Sequence, residues 1–548
     1  MGRLSRSGVS SALLLTLASV ATAENCCAKL KASYSSKTFY PNTYTYGATN
    51  GGGGLLPILS NALQNDYPYW ANQGINEPAC VFTAKSTLEV SNAVKILHQY
   101  RCEYAIRSGG HNPIPEWSNT NGGVLLSTSD IDDVTYKAAE NTVTFGAGCK
   151  WKDVYNVLDP LGVGTMGGRD NTVGTGGFLL GGGISYYSNS RGWAADHITA
   201  YEVRLYSDSV PALEFIADIN PYDQVVYANG TIGTITASSY PDLFTAMKGA
   251  GSSFAIVTHF TQKTFQQQTY NAGFVFYPRG SIPNVLKALY NYSVDGAIAR
   301  PESHIIPAFT SVGPDLVVTD ITLGAFCFFY PTSLGLNQEV DVFKPFTKEI
   351  PFLASTKRNR NGLNSISGEI ATYSTPGKRQ SFTDMAIVLD SADTLKEFWN
   401  AYQDVTESYR LCIVGYTSSF IFYPLTSTFV SQGTADGKKN SMGLEDTPAG
   451  QAGETIMIIS INLTWNLKSQ DTLAAECVGK AFAKLRQLAE QKGIYHPFQY
   501  MNYANGTQDV LAGYGAVSGD RLRQVKLEVD PTNDFGTLVK GRYRVPGV

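Results

Sequence analysis

Charge is scarce in this chain. Asp, Glu, Lys and Arg make up 16% of its 548 residues, below the roughly 25% of an average soluble protein. The net charge is −4 and no run of lysine or arginine stands out, which argues against a nucleic-acid partner, because that needs a basic footprint. Long apolar runs are missing too. The opening "MGRLSRSGVSSALLLTLASVATAENCC" has an apolar core, Ala12 to Val20, shorter than the roughly 20 residues of a membrane span. No later segment qualifies. Arg3 and Arg6 before that core and Ala21-Thr22-Ala23 after it make the pattern of a secretory signal peptide, so residues 1–23 are expected to be removed and the protein to be secreted.

No CxxC pair occurs among the eight cysteines. In an oxidising compartment Cys26, Cys27, Cys80 and Cys102 are expected to form two disulfides, with the pairing left open. Cys149, Cys327, Cys412 and Cys477 fall in apolar strand-like or helical runs and are expected to be buried thiols. Sequons at Asn229, Asn291, Asn462 and Asn505 are glycan sites wherever they reach the surface.

What is present is an alternation of strand and helix patterns. "ACVFTA" and "EYAIRSGG" read as strands around the helical spacing of "STLEVSNAVKILHQY". "GGVLLST", "TVTFGAG" and "HITAYEVRL" continue as strands, and "KWKDVYNVLDPLG" as a helix closed by Gly162. Beyond residue 268, strands alternate with amphipathic helices such as "SADTLKEFWNAYQDV" and "QDTLAAECVGKAFAKLRQLAEQKG". This is an α+β pattern, with a sheet covered by helices on one face. Residues 203–224 interrupt it. Without them the chain reads "HITAYEVVYANGTIGTITASS", a hairpin with Asn-Gly at the turn. Val203-Arg204 is encodable as GTAAGx and Gln224 as CAG, the sequences of intron boundaries. The segment is therefore either a retained intron or a genuine surface loop.

Only six histidines are present, and one of them, His111, ends a glycine turn in "CEYAIRSGGHNPIPEW". A second glycine-rich stretch, "VGTMGGRDNTVGTGGFLLGGGISYYS", contains Gly167, Gly168, Gly174, Gly176, Gly177 and Gly181 to Gly183. Glycine at this density lets backbone N–H groups approach a phosphate or a planar ring without interference from Cβ. A dinucleotide fingerprint would need a strand before these glycines and a helix opening on them. Neither is clear in the sequence. "LFTAMKGAGSSFAIVTHF" adds a third glycine turn before a strand.

The order of these motifs resembles the FAD-linked oxidases of the vanillyl-alcohol oxidase type, and most of all their fungal berberine-bridge-enzyme-like members. "FQYMNYANGTQDVLAGYG" resembles the family's closing segment. The resemblance implies a PCMH-type FAD-binding domain of two α+β subdomains over residues 24–268 and an α+β substrate domain over 269–498. A C-terminal segment, 499–548, would return to the first domain. It implies FAD, bonded through His111 alone, because Asp170 stands where some members attach the flavin a second time by cysteine. Arg107, Ser108, Gly109, Gly110, Gly168, Asp170, Val173, Gly174, Gly176, Gly177, Gly182 and Gly183 would complete the cofactor site. Gly168, a small residue beside the flavin, would let O2 reach it. The catalytic group would be drawn from Tyr500, Asn502 and Tyr503, with Tyr500 as base and Asn502 orienting substrate or flavin. No metal is implied. The expected activity is oxidation of a small molecule, a secondary-metabolite intermediate rather than an oligosaccharide, with O2 as acceptor and the protein a monomer. A secreted ligand-binding protein that has lost turnover is the alternative of another class.

Overall fold

The computed structural model describes residues 22–41, 69–204, 233–267, 269–313, 321–322, 325–329, 340–433 and 439–548. The apolar core of the expected signal peptide, most of the 203–224 segment and Asn229 lie outside these residues.

Three sheets organise the described residues. In the first, Tyr104–Arg107 and Cys80–Thr83 both pair in parallel with Val124–Ser127, and Thr38–Phe39 adds an antiparallel edge. Parallel neighbours need a crossover. The helix Thr87–Gln99 makes the crossover from Cys80–Thr83 to Tyr104–Arg107, on either side of Val124–Ser127, with Ser86 accepting from the Glu89 N–H as its N-cap and Val90, Ala93, Val94 and Leu97 on the buried face. A helix over residues 22–33 carries two adjacent cysteines, which pair as Cys26–Cys102 and Cys27–Cys80.

The second sheet is antiparallel and is built around the long strand Ile256–Gln266, which pairs with Thr142–Gly146, Val163–Thr165 and Ile198–Arg204. Ile198–Arg204 and Gly233–Thr236, the strands that flank the interrupting segment, are paired antiparallel. The helix Trp151–Leu158 ends in a short 3-10 turn, and Gly162 closes it at φ 65°.

The third sheet has ten antiparallel strands, with Ile456–Trp465 flanked along its length by Arg379–Val388 and Thr417–Leu425. Side chains alternate across it. Met457, Ile459, Ile461 and Leu463 meet the helices Ile282–Asn291, Ala392–Arg410 and Asp471–Gln491, while Ile456 and Ile458 join the core on the other side. Each such side chain, once fully buried, contributes roughly 1.5–3 kcal/mol. The α+β architecture and the helix-covered face agree with the sequence reading.

The C-terminal stretch lies against the first two sheets. Lys540 N–H donates to the Tyr104 carbonyl, Tyr514 Oη–H to the Gly249 carbonyl, and the buried Lys526–Asp530 pair donates through Nζ to the Ser253 carbonyl.

One expectation changes, and the conditional reading of the sequons narrows. Cys412 is exposed rather than buried, because it follows the end of Ala392–Arg410 in a surface turn, whereas Cys149 and Cys477 are buried thiols. Among the described sequons only Asn291 is exposed. Asn462 sits mid-strand on a cavity wall, and the Asn505 amide donates to Thr383 Oγ1.

Candidate active site

The glycine loops are interlocked. A Cβ built on Gly109 would lie 2.4 Å from Gly174 Cα, and one on Gly174 would lie 2.5 Å from the Gly109 nitrogen. Two stretches some 65 residues apart therefore touch backbone to backbone, which only glycine permits here. The strand and helix that a dinucleotide fingerprint would need, neither of them clear in the sequence, do form, though both are short. The strand Val163–Thr165 precedes the glycines, and the helix Thr175–Leu180 opens on them. Around this junction is a cavity of about 500 Å³, lined by Ser108 to His111, Gly168 to Asp170, Val173, Gly174, Gly176, Gly177 and Tyr500 to Tyr503, among others. At Gly177 a Cβ would meet nothing within 4 Å, so its backbone is bare.

Three of the expected cofactor residues are not on this wall. Arg107 turns into the first sheet, donating to Ser127 Oγ and stacking over Tyr69. Gly182 and Gly183, at φ 95° and 76°, turn the chain against Met442, Trp193 and Phe178. Gly168 lines the cavity, but a Cβ there would run into Trp151 at 2.4 Å. A side chain at Gly168 would thus enter the core rather than cover the cavity.

His111 stacks on Trp70 at 4.6 Å and 11°. Burial lowers its pKa; the Asp170 carboxylate opposes this and Lys150 adds to it. The imidazole is therefore neutral at neutral pH, with a free electron pair. Asp170 is tied locally, accepting from the N–H and hydroxyl of Thr172. Trp70 also stacks on Phe382, which stacks on Tyr503, each pair at 5.5 Å. One run of rings joins the glycine turn to the C-terminal segment.

The two tyrosines differ. Tyr500 is buried, and its oxygen accepts from the Ile184 N–H and from Asn502 Nδ2, both at 3.0 Å. Burial pushes its pKa up, with Tyr503 adding to the rise. Tyr503 is half-buried on the cavity wall, and its oxygen accepts from Arg169 Nη2.

Residues 78–209 match the FAD binding domain family. The FAD-dependent monooxygenase tpcD of Cochliobolus heterostrophus is 28% identical over 89% of this chain and 89% of its own length. The bifunctional solanapyrone synthase of Alternaria solani is 26% identical over 85% and 82%. The chain is an FAD-linked oxidoreductase. Its fold is also that of the glucooligosaccharide oxidase of Acremonium strictum, a structure concerned with 6-S-cysteinyl, 8α-N1-histidyl FAD, at a TM-score of 0.64, 15% identity and coverage of 88% and 94%.

The residues of this oxidoreductase fit the cofactor. The bare backbone at Gly177, the interlocked glycines and the neutral imidazole of His111 form a cradle that side chains would fill. Ser108 to His111, Val173, Gly174, Gly176 and Gly177 would hold FAD, which supplies the acceptor for a hydride.

Sequence reasoning passed over Trp70, Asp384, His304 and Arg169. Burial pushes the Asp384 carboxyl up to about 8, and it accepts from the Tyr500 N–H at 2.7 Å, fixing the closing segment from below. Arg169 was the more visible of these: an arginine set among glycines, in a chain short of charge, is a signal.

Proposed function

We propose that the chain is an oxidase that takes a hydride from an alcohol, amine or activated C–H of an apolar small molecule and passes the electrons to O2, giving H2O2. The observation that carries the substrate class is the cavity wall formed by the ten-stranded sheet. Phe274, Ile306, Ala308, Phe382 and Ile421 line the cavity, with Ile370 beside them, and the same sheet adds the polar side chains Thr310, Ser419 and Asn462. An oligosaccharide presents more hydroxyls than these three groups can pair, and each unpaired buried polar group costs roughly 1–3 kcal/mol. A flat, apolar metabolite buries its surface against it at no such cost. The likeness to the glucooligosaccharide oxidase is one of fold, whereas tpcD and solanapyrone synthase match in sequence over most of their lengths.

His111 bonds the flavin, and Asp170 leaves it the single attachment. Tyr503 rather than Tyr500 is the base: both line the cavity, but Tyr503 is the less buried and its oxygen accepts from a cation. The Tyr500 oxygen is already committed to two N–H donors. Removal of a hydride leaves a proton behind, and a base within hydrogen-bond reach takes it. Asn502, donating to Tyr500 and to the Phe178 carbonyl at 3.1 Å, orients the closing segment. The secretory route rests on the two disulfides and the N-terminal pattern; among the described residues no helix is long and apolar enough to cross a membrane.

The test is a panel read as anaerobic flavin reduction and aerobic H2O2 release. Planar apolar alcohols and enols should reduce the flavin with higher kcat/KM than any oligosaccharide; the reverse order would refute the substrate class. The yellow colour should stay with acid-precipitated wild-type protein and leave with the supernatant in His111→Ala. Flavin washed from the wild type by acid would sink the covalent assignment.

A further inference from the structure

Arg169 lines the cavity and is only partly exposed. Its guanidinium has five N–H donors and keeps its charge in proteins. Nη1 donates to His304 Nε2 at 3.2 Å and Nη2 to the Tyr503 oxygen. The tautomer of His304 follows. Arginine has no acceptor, so Nε2 must accept, and Nδ1 carries the hydrogen toward the Tyr423 oxygen at 3.3 Å. Burial, reinforced by Arg169, holds His304 well below the usual imidazole range. A neutral histidine neither duplicates nor cancels the charge.

Among the described residues no carboxylate pairs with Arg169. The Tyr423 ring, 4.9 Å away, offers a cation–π contact only. An unpaired charge held away from water is expensive, and the cavity that Arg169 lines is shared with the apolar side chains of Phe274, Ile306 and Ile421.

We propose that Arg169 takes an anionic oxygen of the substrate, so that the molecule oxidised joins an apolar body to one acidic oxygen, that of an enol, a phenol or a carboxylic acid. This rests on the apolar-substrate reading above and narrows it. A charge-assisted bond is shorter and stronger than a neutral one, and here it forms beside Tyr503, fixing the ligand at the base. Arg169 is thus a specificity-determining residue that touches the ligand directly.

The test is binding without turnover, read as perturbation of the flavin absorbance and by calorimetry on flavin-loaded protein. The probes are 2-naphthoate, its neutral isostere 2-naphthamide, and 4-nitrophenol, whose phenolate band reports its ionisation. In the wild type, 2-naphthoate should bind at least about tenfold more tightly than 2-naphthamide, or 4-nitrophenol should bind as the phenolate at a pH where it is mostly neutral in water. The first result marks a carboxylate ligand and the second a phenol or enol. R169Q should remove the preference while holding 2-naphthamide within about twofold, and R169K should keep part of it. No anion preference in the wild type overturns the assignment, as does a preference that survives in R169Q. Should R169Q fail to load flavin, the wild-type probe pair and R169K still decide. Failure of every substrate to release H2O2 would undo the oxidase reading and leave this binding result standing.

Discussion

The two walls of the cavity are made in opposite ways. On the first, side chains are left out: Gly109 and Gly174 touch through backbone, and Gly177 is bare. On the second, side chains are everything: Phe274, Ile306, Ile421 and Phe382 come from four different strands of one sheet. The first wall tolerates nothing added where its two loops touch. The second depends on what is added. A cofactor common to many reactions needs the first kind, and a particular substrate needs the second.

The most severe way to break the first wall is Gly109→Val. Its Cβ would collide with the Gly174 backbone, which has no flexible end to give way, so flavin-loaded protein should be lost altogether. Gly177→Ala, with open space around its Cβ, should express and unfold as the wild type does. Flavin absorbance per polypeptide, with the thermal midpoint, checks both. If the Gly109 variant loads normally, the loops do not touch.

A smaller effect separates the tyrosines that stand between the walls. Tyr503→Phe should slow flavin reduction by roughly 10²–10⁴-fold, and it also removes the acceptor of Arg169 Nη2. Tyr500→Phe should leave reduction within a few-fold of the wild type and act on stability alone. It strands the Ile184 and Asn502 N–H groups, at a cost of roughly 1–3 kcal/mol in unfolding free energy. Rapid-reaction reduction and denaturant titration of each variant give the four numbers. Equal slowing in both would move the base elsewhere.

The smallest effect lies away from both walls. His259 is held by Asp133 at 3.0 Å and Glu202 at 3.1 Å. Burial opposes its charge, but the two carboxylates outweigh that and raise its pKa to about 9. The folded value stands above the ordinary 6.5. The stabilisation is therefore complete below pH about 6.5 and is lost as pH rises through about 9. The melting midpoint should fall over that window by about 1–4 °C, and His259→Gln should flatten the fall. Flavin content should not change. A loss of flavin over the same window would tie this triad to the cradle.

The first wall was legible in the sequence and the second was not. His111 at the end of Gly109-Gly110, and glycine spacing from 167 to 183, are local patterns, and local patterns survive in a string. Even there, direction was hidden. Gly168 is small because Trp151 packs on it, which spacing does not reveal. Gly182 and Gly183 serve a turn, and Arg107 serves the sheet. Ile306 and Ile421 read only as strand residues, because the pairing of Ser303–Val312 with Thr417–Leu425 spans more than a hundred residues and decides which face each shows. Tyr500 and Tyr503 were found together, but the choice between them depends on Arg169 and Ile184, brought in from over three hundred residues away. The helices over 87–99 and 471–491 were plain from their apolar spacing.

A wall to which each strand lends one or two side chains is also a modular one. Phe274, Ile306 and Ile421 can each be exchanged without moving a backbone atom that the flavin loops rely upon, because those loops are fixed by one another and by the C-terminal stretch. Descendants of such a protein can therefore wander from one metabolite to the next by single substitutions, each tried on a cofactor site that still works. The interlocked glycines allow no such wandering. In this architecture innovation belongs to the sheet and inheritance to the loops.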